Sequence, residues 1–389
     1  MNNNTNNSRI PKLRFPGFTG EWDYMNGNEL FEPISNKDHN SDLPILALTQ
    51  DQGAVPRDMI NYNVIVSDKS VAGYKVVEVD DFIISLRSFQ GGIEYSRYKG
   101  LCSPAYIVLR KKSKELCSDF YRIYFKSFNY IQELNKNLEG IRDGKMISYS
   151  QFSEIKLPKP SLEEQKKIAS FLSEIDDQIA SQGQKVDALK EKKKGLMQQL
   201  FPQPGMTTPR LRFPGFDGDW EEKKLGEVCN PITPPLKLQS RDYLPAGRYP
   251  VIDQSQSLIC GWTNDDAGLI TNVPVIIFGD HTCVLKYIDF PFVQGADGVK
   301  ILSPKNGCDP QFVYQAFASN PVKQDGYKRH FSDFKEKIYH FPHTLPEQQK
   351  IASCLSTLDD TITAESDKLE VLKNHKKGLM QQLFPQPIK

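Results

Sequence analysis

Two stretches of this 389-residue chain occur twice, and the internal repeat limits the architecture more than any other feature. The block Leu-Arg-Phe-Pro-Gly-Phe occupies residues 13–18 and returns at residues 211–216. Residues 162–203 align without a gap onto residues 345–386, and both copies end in Gly-Leu-Met-Gln-Gln-Leu-Phe-Pro-Gln. Self-similarity of this kind indicates a duplicated structural unit. The chain therefore contains one frame, present in two copies.

Between the repeated blocks the two halves diverge, because residues 26–156 and 231–341 share no motif that can be aligned. The repeated blocks form a frame that is the same in both halves, whereas the segments inserted in it differ. This indicates that the two inserts have different tasks and must be held in equivalent positions. This is the logic of a protein that reads two different half-sites. We divide the chain into a first module (residues 1–158), a first helix (159–203), a second module (204–344) and a second helix (345–389).

The longer repeated block is predicted to be a helix. Pro160 and Ser161 open the first copy and acidic Glu163 and Glu164 follow, which is typical of a helix start, while Phe201-Pro202 ends it. About 39 residues at a rise of roughly 1.5 Å give a length of about 58 Å. The separation of two reading modules on such a helix would be about one to one and a half turns of a DNA duplex.

Apolar residues in this block follow a four-three spacing over about five heptads, which is typical of a coiled-coil seam. Polar residues interrupt the seam at equivalent places, Gln182 and Lys193 in the first copy and Glu365 and Lys376 in the second. We predict that the two helices pair as an antiparallel coiled coil with pseudo-twofold symmetry; the alternative is two core helices in unrelated domains. The twelve predicted seam residues are Ile168, Leu172, Ile175, Ile179, Val186, Leu189, Ile351, Leu355, Leu358, Ile362, Leu369 and Leu372.

Both divergent modules are predicted to be α+β, because short β-type runs alternate with glycine and proline and a few helical segments follow. The predicted strands of the first module are 64–66, 75–79, 82–85 and 105–109, followed by a helix within 120–136. Those of the second module are 273–278, 284–288 and 298–302, followed by a helix at 311–319.

Loops on a rigid frame are where recognition residues concentrate, and arginine and glutamine are the side chains that read guanine and adenine edges. We therefore predict DNA contacts from loops rich in such donors and acceptors. The candidates in the first module are Arg87, Ser88, Gln90, Tyr95, Arg97, Lys99, Arg142 and Lys145. Those in the second are Gln254, Gln256, His281, Thr282, Lys286, Lys328 and Arg329. The alternative for each is a solvated surface side chain.

The net charge of +1 hides an uneven distribution. Residues 21–81 contain 12 acids and 4 bases, whereas residues 82–156 contain 13 bases and 7 acids. A module with one basic side can neutralise phosphates although its total charge is small. The 7 scattered cysteines and the lack of a long apolar run lead us to expect a soluble, cytoplasmic protein without a membrane partner.

The repeated order of module and helix resembles the specificity subunits of type I restriction-modification enzymes over nearly the whole chain. The helix entries at 162–169 and 345–352 and the exits at 195–201 and 378–384 are similar to those of the family. So are Gly-Leu-Cys-Ser-Pro-Ala-Tyr at 100–106 and Gly-Asp-His-Thr at 279–282 within the modules.

The resemblance implies that each module reads one half of a bipartite, asymmetric site in double-stranded DNA. It also implies that the paired helices set the spacer and bind two methyltransferase subunits, with restriction and motor subunits completing the complex. S-adenosylmethionine, ATP and magnesium would belong to those partners, and this chain would hold no cofactor or metal and have no catalytic residue.

Motif absences agree with a non-catalytic chain. Asn230-Pro231-Ile232-Thr233 lacks the second proline and the aromatic residue of an adenine methyltransferase motif, and no glycine-rich cofactor loop or phosphate-binding loop occurs. Two alternatives stay open: a free-standing bipartite DNA-binding regulator, and a coiled-coil scaffold whose modules bind proteins.

Overall fold

A computed structural model describes residues 9–40, 42–60, 71–136, 147–326 and 328–385. The chain forms two compact units, Met1–Gln182 with Lys368–Lys389, and Gly183–Asp367. Each unit contains one divergent module together with part of both repeated helical blocks. The division differs from the four segments that the sequence suggested, because the unit boundaries fall inside the long helices and not between helix and module.

The first unit contains the first module and its flanking strands. Its strands are β1 (Asp23–Asn26), β2 (Phe31–Ile34), β3 (Leu46–Thr49), β4 (Gly53–Pro56), β5 (Lys75–Val77), β6 (Phe82–Ile84), β7 (Glu94–Tyr95), β8 (Gly100–Cys102), β9 (Ile107–Lys111) and β10 (Lys156–Lys159). Its short helices are α1 (Gly27–Leu30), α2 (Ser88–Gly91), α3 (Ser118–Tyr124), α4 (Phe128–Lys136) and α5 (Tyr149–Glu154).

The first long helix, α6 (Leu162–Leu200), follows and leads into the second module. The strands of that module are β11 (Glu221–Lys224), β12 (Cys229–Ile232), β13 (Tyr249–Ile252), β14 (Gly261–Thr263), β15 (Leu269–Ile270), β16 (Val275–Gly279), β17 (Leu285–Ile288), β18 (Phe292–Gln294), β19 (Val299–Pro304) and β20 (Ile338–Phe341). Its helices are α7 (Leu225–Val228), α8 (Pro310–Ser319) and α9 (Phe331–Glu336), and the second long helix is α10 (Leu345–Leu383).

The two modules are built around sheets of the same topology although their sequences cannot be aligned. The first has a four-stranded sheet in the order β2-β9-β6-β7, and the second has β12-β19-β16-β17. Every neighbouring pair in both sheets is antiparallel. In each unit a short two-stranded ladder, β1 with β10 or β11 with β20, precedes the long helix. The duplication therefore extends into the modules.

A second layer of strands differs between the modules. The first module carries two separate two-stranded ladders, the hairpin of β3 with β4 and the pairing of β5 with β8. The second module carries a four-stranded sheet in the order β14-β13-β18-β15, in which β13 and β18 are parallel. The predicted α+β class is confirmed. The predicted helix at 120–136 is divided into α3 and α4, and the predicted strand at 64–66 lies outside the described residues.

The ends of the long helices belong to the cores of the modules. Ile168 and Leu172 of α6 pack in the aromatic core of the first module, which also receives Leu383 and Phe384 from the end of the second block. Phe384 lies edge-on to Phe120 with ring centroids 5.6 Å apart. In the second unit, Leu200 and Phe201 and the start of α10 join the core in the same way. Apolar burial of this kind stabilises each unit as a whole.

The predicted seam is buried most deeply near the start of each long helix. Six of its residues are buried, namely Ile168, Leu172, Ile175, Val186, Ile351 and Leu355. The other six are half-buried, namely Ile179, Leu189, Leu358, Ile362, Leu369 and Leu372. The buried residues near the helix starts belong to the cores of the modules, whereas Val186 is buried in the middle of α6, outside those cores.

Ion pairs join the helices at three of the four predicted polar positions of the seam. Glu365 of α10 lies 2.9 Å from Lys185 of α6, and the other two pairs are related by the repeat. In the first unit Lys376 of α10 donates to Asp176 of α6. In the second unit Lys193 of α6 lies 2.6 Å from Asp359 of α10. The two pairs occupy equivalent places in the repeat, and both are half-buried. Within each unit, therefore, one end region of α6 contacts the opposite end region of α10.

The short repeated block is a clip that contacts both long helices. In the first unit Arg14 donates two hydrogen bonds of 2.8 Å to the buried carboxylate of Glu164 on α6, and Leu13 N donates to the carbonyl of Gln382 on α10. In the second unit Arg212 donates bonds of 2.8 and 2.9 Å to Glu347 on α10, and Leu211 N donates to Gln199 O on α6. Bidentate arginine–carboxylate pairs of this kind fix geometry as well as adding free energy.

Candidate nucleic-acid interface

In the first module the segment after strand β6 carries the first predicted loop residues. Arg87 and Gln90 are exposed on either side of the start of α2. Ser88 is buried, and its hydroxyl accepts a hydrogen bond of 2.8 Å from Ser85 N. The loop is held close to α3, because a Cβ on Gly92 would lie 2.0 Å from the carbonyl oxygen of Phe125. Ser88 therefore shapes a loop from which Arg87 and Gln90 project.

The next predicted group follows directly on strand β7. Tyr95 is buried and its hydroxyl donates to Asp80, an arrangement in which burial and the neighbouring carboxylate raise the pKa of the tyrosine well above its usual value. Arg97 is exposed. Lys99 is also exposed and lies 2.9 Å from Glu78. Of these three side chains, Arg97 and Lys99 are placed to meet a ligand at the surface, whereas Tyr95 supports the strand.

Arg97 lines a cleft of about 1130 Å³ in the first unit. The basic side chains along the cleft are Arg97, Arg122, Lys126, Lys373, Lys376 and Lys377, and the acidic ones are Asp51, Asp176 and Asp177. Three of these bases pair with carboxylates outside the lining, namely Arg122 with Asp119, Lys126 with Glu94 and Lys373 with Glu370, and Lys376 pairs with Asp176. Among the described residues, Arg97 and Lys377 are therefore the lining bases best placed to attract an anion. The predicted residues Arg142 and Lys145 lie outside the described residues.

In the second module Gln254 joins three loops. Its side-chain amide donates to Asp297 O at 3.2 Å, and its side-chain oxygen accepts from His281 N at 3.2 Å. Its own carbonyl accepts from the Thr282 hydroxyl at 2.8 Å. Three of the predicted residues, Gln254, His281 and Thr282, are thus brought together in one cluster. These contacts fix the loop conformation and use both ends of the Gln254 amide.

Lys286 is buried under the same loop. Its ammonium donates to the carbonyls of Asp253 and Ser257 at 2.7 and 2.6 Å. Burial lowers the pKa of Lys286 below its usual value, while the nearby Asp253 opposes this effect. The two bonds close the segment that carries Gln254 and the exposed Gln256. The structure therefore places Lys286 beneath the loop as a positioning residue and not at its outer surface.

The last predicted group precedes helix α9. Lys328 and Arg329 are both exposed. Lys328 lies 3.4 Å from Asp325 and 3.8 Å from Asp333, and its carbonyl is 3.2 Å from His281 Nδ1. This segment thus borders the Gln254 cluster, and Gln256, Lys328 and Arg329 are the predicted side chains of the second module that are exposed. DNA contact by any of the candidates stays a prediction.

Sequence reasoning missed the turn between β3 and β4. Gln50, Asp51 and Gln52 are exposed there and line the cleft beside Arg97. The signal was present, because an apolar run ends at Thr49 and Gly53 follows three polar residues later, which is typical of a hairpin.

The described residues show no arrangement of three or more histidine, cysteine, aspartate or glutamate side chains that could hold a metal ion. The two histidines near the start of α10 are engaged elsewhere: His343 lies 2.9 Å from Glu221 and His340 lies 3.6 Å from Glu222. In the described part of the chain, no helix is both long and apolar enough to cross a membrane.

The fold defines a class of protein with two α+β modules of one topology, each with its own loop surface, joined to a duplicated pair of long helices. A family model described as the type I restriction modification DNA specificity domain matches residues 21–191 and 217–374. The chain belongs to this family.

Individual relatives agree with the family assignment. The chain is 24% identical to the type I restriction enzyme MjaVIII specificity subunit of Methanocaldococcus jannaschii, over 79% of each chain. It is 23% identical to the putative type I restriction enzyme MjaX specificity subunit of the same organism, over 92% of this chain and 88% of the relative. The crystal structure of a type I restriction-modification S subunit from M. genitalium is similar in fold, with a TM-score of 0.60 and 16% identity over 97% of this chain and 100% of that chain.

Proposed function

We propose that this chain is the DNA-specificity subunit of a type I restriction-modification complex. Each module reads one half of a bipartite, asymmetric site in double-stranded DNA. The paired long helices set the spacer and bind two methyltransferase subunits, and restriction and motor subunits join the full complex. The chain itself is non-catalytic, and S-adenosylmethionine, ATP and magnesium are bound by its partners.

One observation carries this proposal: a duplicated frame holds modules with the same sheet topology and different loops. The arginine–carboxylate pairs of the two clips, Arg14–Glu164 and Arg212–Glu347, have the same bidentate geometry. The ion pairs Lys376–Asp176 and Lys193–Asp359 occupy equivalent positions of the repeat. The loop surfaces differ in their residues and in the bonds that hold them. A protein that must recognise two different DNA sequences at a fixed spacing needs an equivalent frame for both modules and different loops on each.

The rival functions are separated by testing the chain alone and with its methyltransferase partner. We expect weak DNA binding by the chain alone and site-specific adenine methylation only when both are present, because target-base chemistry requires an enzyme pocket that takes the base out of the duplex. Tight, specific DNA binding by the lone chain favours a free-standing regulator. Absence of specific methylation by an assembled complex, together with binding of other proteins by the modules, favours a scaffold.

A further inference from the structure

The turn between β3 and β4 presents three polar side chains in a fixed frame. Thr49 and Gly53 pair across the hairpin, so the turn consists of Gln50, Asp51 and Gln52. The Thr49 hydroxyl accepts from Gln52 N at 3.1 Å and donates to Gly53 O at 3.1 Å. These bonds close the turn with the backbone and the threonine, and they use neither of the glutamine side-chain amides.

The hairpin is held tightly against the loop that carries Gln90. Gly53 has a φ of +76°, and a Cβ at this position would lie 2.4 Å from the carbonyl oxygen of Tyr95. A Cβ on Gly91 would lie 2.7 Å from the side chain of Gln50. Ala54 also forms a bridge with Ser96. The turn and the loop that carries Gln90 are therefore neighbouring parts of one surface.

The chemistry of this surface suits base edges. Glutamine amides match the donor and acceptor of adenine, arginine matches guanine, and aspartate accepts from the amino group of cytosine. The turn lies at the cleft that Arg97 and Lys377 also line. Phosphate contacts position a protein on DNA and base contacts give specificity, and the two kinds of group occur here side by side.

We propose that Gln50, Asp51 and Gln52 form a base-reading element of the first module, acting beside Gln90 and Arg97. The inference rests on the proposed function and deepens it, because it assigns part of one half-site to a particular turn. The side chains enter the major groove, which is wide enough for a two-stranded ribbon and carries a distinct pattern for each base pair.

The test uses the assembled methyltransferase complex and synthetic duplexes in which each base pair of the first half-site is changed in turn. The wild-type site is first established by mapping methylated adenines. We expect Gln52→Ala to lower discrimination at one or two base pairs of the first half-site by about 10- to 100-fold. Discrimination in the second half-site should stay unchanged. Gln132→Ala is the matched control, since Gln132 is exposed on α4 and does not line the cleft.

The conservative variant Gln52→Glu keeps the length of the side chain but removes its donor, and it should change the preferred base at the same position. The Gln52→Glu variant is used instead if the Gln52→Ala chain does not assemble with the methyltransferase. Unchanged discrimination in both Gln52→Glu and the double variant Gln50→Ala/Gln52→Ala overturns the inference, as does an equal loss in both half-sites. A wild-type complex that methylates without a bipartite site contradicts the proposed function itself, so the two failures are distinguishable.

Discussion

The repeated frame and the divergent modules differ in how their contacts are made. In the frame, equivalent residues make the same bonds twice: Arg14 with Glu164, and Arg212 with Glu347. In the modules, the sheet order is shared but the loops are held by different means. The first module fixes its hairpin by close backbone approach at Gly53, and the second fixes its loop by side-chain bonds from Lys286.

This difference indicates what the duplication preserves. The order of the strands and the way each module is attached to the long helices determine where the loops lie. These two features are the same in both units. The loops determine what is read, and they have diverged beyond alignment. The frame and the loops therefore have separate roles, which are placement and recognition.

The largest expected effect on stability comes from removing the arginine of either clip. Arg14→Ala and Arg212→Ala should each lower the free energy of unfolding by about 3 kcal/mol, because each leaves a buried carboxylate without its partner. Chemical denaturation of the whole chain, with Arg241→Ala as the control at an exposed arginine, measures this. A large loss at one clip and none at the other would break the equivalence of the two copies.

A smaller effect is expected from Gly53→Ala in the first module. The positive φ and the Tyr95 carbonyl leave no room for a methyl group, so we expect a loss of about 1 to 3 kcal/mol and displacement of the hairpin. Thermal unfolding and discrimination in the first half-site are the measurements. Gly226→Ala is the control, since nothing lies within 4 Å of the added Cβ. Equal losses of discrimination in both half-sites would contradict the independence of the modules.

In the second module, Lys286→Met should cost about 2 kcal/mol, because two backbone carbonyls lose their donor. The loop that carries Gln254 and Gln256 should loosen, so that discrimination falls in the second half-site only. The exposed Lys323 provides the control variant Lys323→Met. Unchanged stability together with a uniform loss of DNA affinity would instead indicate that Lys286 contacts phosphate directly.

The smallest effect concerns the half-buried ion pairs between the helices. A double-mutant cycle on Lys193 and Asp359 should give a coupling of about 1 kcal/mol, discounted for solvent exposure. The exchanged pair Lys193→Asp/Asp359→Lys should recover part of the loss from either single variant. A coupling near zero would show that apolar packing alone fixes the helix register.

The sequence predicted the frame well because its signals are local and repeated. The heptad spacing, the acidic start and Phe201-Pro202 gave the bounds of α6 to within a few residues, and the same reasoning held for α10. In the modules, individual strands were predicted close to their observed bounds, such as 82–85 for β6 and 284–288 for β17, but the arrangement of the strands was not predicted. Their common sheet order depends on pairings between residues far apart in sequence, such as Phe31 with Lys111, which no periodicity reveals.

Residue type was enough to select candidates for the site, but it did not predict which of the selected side chains are buried. Arg97 and Arg329 are exposed as expected, whereas Ser88, Tyr95 and Lys286 are buried and hold loops in place. Composition cannot distinguish a lysine that meets a phosphate from one that caps two carbonyls, because the difference arises only when Asp253 and Ser257 are brought together. The turn at 50–52 was overlooked for a related reason, since its partner loop is distant in the chain.

The most direct test of the account places one module in both copies of the frame. A chain in which the second module is replaced by the first is combined with the methyltransferase partner, and methylated adenines are mapped on random-sequence DNA. The account predicts a symmetric site made of two inverted copies of the first half-site. Recognition of the original asymmetric site by this chain, or methylation by the isolated polypeptide, would contradict it.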